Sequence, residues 1–415
     1  MRTISPITEE DMDDFITIYL NAYPGIDVSA QEKRSQLRQR MLNTSRDPAV
    51  ELLALFEADE MRGIMTLYDF TMNLLSSRTL VGGVGGIAVD LLHKKEKVAA
   101  DMLRFFLKHY KQKGACLTAL YPFRPDFYRR MGFGFGTKRN LYSVKPSSLP
   151  KRSGKIHVSC LTAHDQKAMK ACYDRFLTRS SGLMERSDYV WNAVFSRPDL
   201  QVVGVRHRDR ITGYLIFKFE KGRQDHFLSN DILIRELVYD SANDLLELMR
   251  FLHTQADQIE RIIFYTQDEY FHFLLQDPRN DSGNLLPQIY HESNTQGVGI
   301  MYRIIDVPRL FTVLDDHNFG QVTCRLKITL DDSFFPENAG SYVVHFQAGH
   351  ALLSHDNLFD VEIQLDVSEF SSLIVGAVSF RNLNDYGLVS LSDESYVDLL
   401  NRLFAAPKPI CFTEF

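Results

Sequence analysis

The segment LVGGVGGIAVDLLHKKEKVAADMLRFFLKHY, residues 80–110, decides the fold. Val84, Ile87 and Val89 give it apolar strand character at its start. Val98, Met102, Phe105, Phe106 and His109 follow at helical spacing. Glycines 82, 83, 85 and 86 lie inside the strand, where glycine marks a bulge or a close backbone approach. A dinucleotide fold places its glycines between strand and helix, so this placement argues against that fold. The turn here is His93-Lys94-Lys95-Glu96-Lys97. The first amides of a helix lack internal partners and carry positive partial charge, so this turn can hold a pyrophosphate. It reads equally as a solvated basic turn.

Composition narrows the classes. The 415 residues leave room for two or three domains with full cores. A net charge of −6 and a sequence pI of about 6.1 argue against a nucleic-acid partner. The same balance suits a site that attracts cationic amines. No apolar run reaches membrane-spanning length, and the acidic start MRTISPITEEDMDDF lacks a signal-peptide core. Cysteines 116, 160, 172, 324 and 411 are scattered, odd in number and free of C-x-x-C spacing. They read as reduced thiols of a cytoplasmic protein. The histidines form no metal-spaced cluster, and no metal is expected.

Taken in order, residues 1–50 read as helical. Thr8 to Asp11 cap a first helix carrying Met12, Phe15, Ile16 and Tyr19, and a charged helix runs near Ala30–Leu42. Glu51–Phe56 and Gly63–Phe70 read as a hairpin. Lys145–Pro150 reads as a linker. Beyond it the pattern repeats 150 residues on: Glu51–Phe56 matches Gln201–Arg206, and Ile87–Asp90 matches Leu237–Asp240. The helix that follows matches at an offset of 146, so four residues are missing where the first copy has its basic loop. A duplicated domain is therefore predicted, the second copy without a pyrophosphate loop. From Val307 onward the strands Cys324–Leu330, Ser341–Phe346 and Phe359–Leu365 and the helices Val367–Val375 and Ser395–Phe404 form a third segment.

Strand, loop, helix and a further strand, closed by ALYPFRPDFYRRMGFGFG at 119–136, resemble the core of the GNAT N-acetyltransferases. The F-Y-x-x-x-G-F of Phe127 to Phe133 is a common GNAT ending. Two such units and a final sterol-carrier-like segment are similar to the Eis (enhanced intracellular survival) acetyltransferases. The predicted class is thus α/β (α+β): tandem GNAT folds over 1–145 and 151–306, then a sterol-carrier-protein-like α+β domain over 307–415.

The resemblance implies acetyl-CoA as co-substrate, an amine acceptor of aminoglycoside or lysine type, and a homo-hexamer. It implies pantetheine contacts at Ile87, Ala88 and Val89, and pyrophosphate contacts at Lys94, Lys95, Glu96, Lys97, Val98, Ala99 and Ala100. Phe123 is a further contact, Tyr128 the general acid, and the terminal carboxylate of Phe415 the base. The acceptor wall falls around Tyr19–Val28. The apolar tail of residues 409–415 is expected to dock in the first domain's cleft through Phe412 and Phe415. Lys97 stands where the family has glycine, and Glu96 adds a negative charge, so weakened CoA binding is expected. A non-catalytic acyl-CoA or lipid-binding protein is the alternative, and a Fem-type aminoacyltransferase a third possibility.

Overall fold

The computed structural model describes residues 2–26, 31–151, 157–222, 229–286 and 289–415. The chain forms two compact units. The first contains residues 1–136, 300–409 and 413–415, the second 137–299 and 410–412.

The first unit opens with β1 (Arg2–Pro6), α1 (Met12–Ala22) and α2 (Gln31–Thr44). Then come β2 (Val50–Glu57), β3 (Glu60–Leu74), β4 (Ser77–Val89), α3 (Val98–Gln112), β5 (Leu117–Leu120), α4 (Pro125–Arg129) and β6 (Gly134–Phe135). The strand β1 corrects the all-helical reading of residues 1–50. It pairs antiparallel with β2, Arg2 opposite Glu57. Five residues are too few to show a period. The predicted hairpin is β2–β3, closed at Ala58 and Asp59, both with positive φ. Two left-handed turn residues match the right-handed twist of the strands they join.

Alternation along β2 explains the layering. Leu53 and Leu55 pack with Val84 and with Val98, Met102, Phe106 and Tyr110 of α3. Leu52 and Ala54 pack on the other face with Phe15 and Ile16 of α1. Side chains alternate across a strand, so one sheet buries two helices.

Sheet membership departs from the order of the chain. The first sheet is completed by Met301–Ile304, inserted between β5 and β6. Arg139–Val144, which falls inside the expected first domain, lies in the second sheet against Arg261–Thr266. The second sheet otherwise repeats the first. Strands 200–207, 210–221, 230–239 and 261–266 stand in the same order as β2, β3, β4 and β5.

The third segment adds a five-stranded sheet in which Cys324–Asp331 runs parallel to Val361–Asp366. Its helix Val367–Ile374 packs on Met301–Ile304 and β6. Arg303, fully buried, donates to both carboxylate oxygens of Asp332 at 2.8 and 3.0 Å. Burial drives the Arg303 guanidinium below its usual range, and the Asp332 charge opposes this.

Candidate active site

The site begins with an irregularity in β4. Between Ile64↔Ala88 and Thr66↔Gly85, β4 carries one residue more than β3. Gly86 sits there at φ 58°, a conformation that a Cβ disfavours. On its other edge β4 pairs in parallel with β5 only over Val81–Gly83. Beyond Gly83 that edge has no strand partner among the described residues, which leaves room for a ligand beside it. Ile87 and Ala88 are buried and Val89 half-buried along this stretch. The Ile87 carbonyl accepts a hydrogen bond from the Tyr23 hydroxyl at 3.2 Å.

A cavity of about 500 Å³ lies at the opening. Gly85, Gly86 and Ile87 line it from β4, and Tyr121, Pro122 and Phe123 from the end of β5. Tyr128 of α4 and Phe415 line it too. Phe123 is 59% exposed, its ring edge-on to Tyr128 at 5.6 Å. Tyr128 is 3% exposed and packed among Phe123, Phe127 and Phe133. Burial pushes its phenol well above the ordinary tyrosine value, and nearby Tyr23 adds to this. The group therefore carries its proton throughout the physiological range.

The tail reaches this cavity through Phe415. Its ring packs against Tyr68, Phe70 and Tyr121 at 4.8–5.5 Å. Its backbone carbonyl carbon lies 2.9 Å from where a Cβ on Gly85 would stand, so no larger residue fits at 85 without displacing the tail. The Tyr121 hydroxyl donates to the Thr413 carbonyl at 3.0 Å. Phe412 departs from expectation. It stacks on Phe176 of the second unit, with ring centroids 6.1 Å apart.

The basic loop has more structure than its sequence suggests. Asp90 accepts from the Leu92 amide and starts a single turn, Leu91–His93. Lys95 and Lys97 both adopt positive φ, 71° and 65°. Lys97 thus takes the glycine-like conformation expected at that position, at a cost of roughly 1–2 kcal/mol for a residue with a Cβ. Lys94, Lys95, Glu96 and Lys97 are exposed, Val98 is in the core, and Ala99 and Ala100 are half-buried. Arg2 of β1 donates to the Glu96 carbonyl and to Asp101, each at 2.8 Å. It also stands 3.9 Å from the Glu96 carboxylate, which meets His93 at 3.4 Å. These partners offset the repulsion expected of Glu96. The N-cap residue of α3, Lys97, makes no side-chain capping bond among the described residues, which leaves the first amides available. Open edge, uncapped helix and three exposed lysines fit a pantetheine arm ending in a pyrophosphate.

The remaining wall comes from elements that sequence reasoning named only in part. Tyr19 and Tyr23 lie in the expected stretch, whose Asp27 and Val28 fall outside the described residues. Leu37, Arg40 and Met41 of α2 and Thr66 and Tyr68 of β3 also line the cavity. No local pattern marks them, because their convergence is tertiary. Burial pushes the Tyr68 hydroxyl up to about 12.

The second copy differs at the corresponding point. Only Asp240 and Ser241 separate its strand 230–239 from its helix 242–253, so no loop remains there. Glu236 stands 150 residues beyond Gly86 and is 6% exposed. It is ion-paired with the equally buried Arg186 and accepts from the Tyr214 hydroxyl. The tail lies in this unit as well: the Ile410 amide donates to Ser181 at 2.8 Å, and that of Cys411 to Gln267 at 2.6 Å.

Comparisons with known proteins agree with this anatomy. Residues 3–136 match one acetyltransferase (GNAT) domain family, and 182–304 match another. Residues 311–412 match the sterol carrier protein domain. A search of curated proteins finds no match. Solved structures with the same fold include a GCN5-related N-acetyltransferase from Kribbella flavida, 19% identical with a TM-score of 0.78. One from Anabaena variabilis is 15% identical with a TM-score of 0.82, and Eis1 from Mycobacterium abscessus 19% with 0.76. Each alignment covers 100% of both chains. The chain therefore belongs to the GNAT acyltransferases, with two GNAT domains followed by a sterol carrier protein domain, the order expected of an Eis-type enzyme.

Proposed function

We propose that this protein transfers an acetyl group from acetyl-CoA to a primary amine in the cavity at the β4–β5 opening. The observation that carries the reading is the meeting of Tyr128, the open edge of β4 and Phe415 around one cavity. When bound, acetyl-CoA supplies a thioester whose C–S bond breaks as the acceptor's N–C bond forms. The loop Lys94–Lys97 and the start of α3 bind the pyrophosphate, and β4 at Ile87–Val89 aligns the pantetheine. Amides on the open edge polarise the reacting carbonyl as it gains negative charge.

Tyr128 donates its proton to the departing sulfur, a role that its raised pKa and buried position support. The Phe415 carboxylate takes the proton that the attacking nitrogen loses. The Tyr128 proton is then restored through solvent, so the net products are an amide and a free thiol. The resemblance to the Eis acetyltransferases implies a homo-hexamer acting in the cytoplasm, and light scattering gives the test of assembly.

The reading is tested by following free thiol during incubation of the protein with acetyl-CoA and a panel of amines. Thiol release that depends on the amine supports it. Tight binding of acetyl-CoA with no release for any amine would favour a non-catalytic acyl-CoA-binding protein.

A further inference from the structure

The wall opposite the reacting groups has a composition that speaks to the acceptor. Tyr19, Tyr23 and Tyr68 present aromatic rings to the cavity, and Leu37 and Met41 present aliphatic groups. Among the described lining residues there is no aspartate or glutamate side chain, and Arg40 of α2 is the one cation. Arg40 is exposed and makes no ion pair among the described residues.

Such a wall discriminates by charge. A polycation loses water from every ammonium that enters an aromatic and aliphatic surface, with no carboxylate side chain among the described lining residues to replace it. A guanidinium on the same wall repels it further. A single amine on an aromatic body loses much less. Its ring packs on the tyrosines, and only the nitrogen has to reach Phe415. A free guanidinium is also a fork for a carboxylate, sulfate or phosphate.

We infer that the acceptor is an aromatic monoamine bearing an anionic group, its ring against Tyr19, Tyr23 and Tyr68 and its anion on Arg40. The inference rests on the acyltransferase reading and narrows the acceptor class away from aminoglycosides, although the whole chain is acidic.

The test compares 4-(2-aminoethyl)benzoate, 2-phenylethylamine and kanamycin as acceptors by kcat/KM, and by calorimetric titration of the protein without acetyl-CoA. The carboxylated arylamine should exceed phenylethylamine by about tenfold in kcat/KM, the scale of one charge-assisted contact. Kanamycin should rank last in both measurements. Arg40→Gln should bring the ratio of the two arylamines close to one. A charge reversal, Arg40→Glu, should invert it. Arg40 is exposed on a helix, so neither change threatens the fold.

Kanamycin ranking first, or a ratio unmoved by both Arg40 variants, overturns the inference while the acyltransferase reading stands. Absence of thiol release with every amine removes both, and the titration then shows whether the wall binds arylamines at all.

Discussion

Tyr128 looks like a core residue by burial and like a functional one by what it borders. Its ring is held on three sides by phenylalanines, and it lines the cavity beside Phe415. Removing only the hydroxyl separates the two roles. Tyr128→Phe should lower kcat by roughly 10²–10⁴, the range of an acid–base group, with KM for acetyl-CoA nearly unchanged. Full activity in that variant assigns the residue to packing alone. Lys97 poses a different question. Its φ of 65° means that glycine would relieve strain without moving the backbone. Lys97→Gly should raise the melting temperature, by an amount equivalent to about 1 kcal/mol. It should also leave Kd for CoA equal or tighter. A clear loss of affinity shows that the lysine charge contributes more than its strain costs.

At the scale of elements, most of the first domain can be read locally. The hairpin β2–β3, the glycine-rich β4 and the amphipathic α3 follow from period and turn residues. The strand β1 does not, because its signal is a pairing with β2 rather than a pattern of its own. Pairing also governs Arg139–Val144 and Met301–Ile304. Both are apolar enough to be strands, and nothing in either tells which sheet it joins. Met301–Ile304 is then tied to the third segment by the Arg303–Asp332 pair. Arg303 Nε and Nη1 have no hydrogen-bond partner among the described residues, so its compensation comes through Asp332. Asp332→Ala should destabilise the protein by about 3–5 kcal/mol, because it strands a buried charge. Urea unfolding checks this, and a loss below about 1 kcal/mol would mean that water reaches the guanidinium.

The whole molecule uses one fold twice, and the cavity beside Tyr128 and Phe415 lies in the first copy. In the second copy the position 150 residues beyond Gly86 is Glu236, buried and held by Arg186 and Tyr214, and the loop before the following helix is missing. Calorimetric titration with CoA should therefore give one site per chain, and two equivalent sites would contradict this reading of the second copy. The tail makes a second prediction at this scale. Adding a few glycines and serines after Phe415 moves the terminal charge and leaves Glu414 in place. Acetylation should fall severely while the melting temperature stays near that of the native protein, and Glu414→Gln should do much less. An extended protein as active as the native one would show that the Phe415 carboxylate is not the base.

Sequence by itself determined the duplication, the class of the fold, the lost loop of the second copy and the candidates Tyr128, Phe415 and Lys94–Ala100. All of these rest on local period, on spacing along the chain or on a family motif. Only the tertiary structure decided which strands close each sheet and that Phe412 and Phe415 pack in different units. It alone brought Arg40, Tyr68 and Tyr121 to the cavity. Those facts depend on contacts between residues far apart in the chain, and neither period nor composition encodes them.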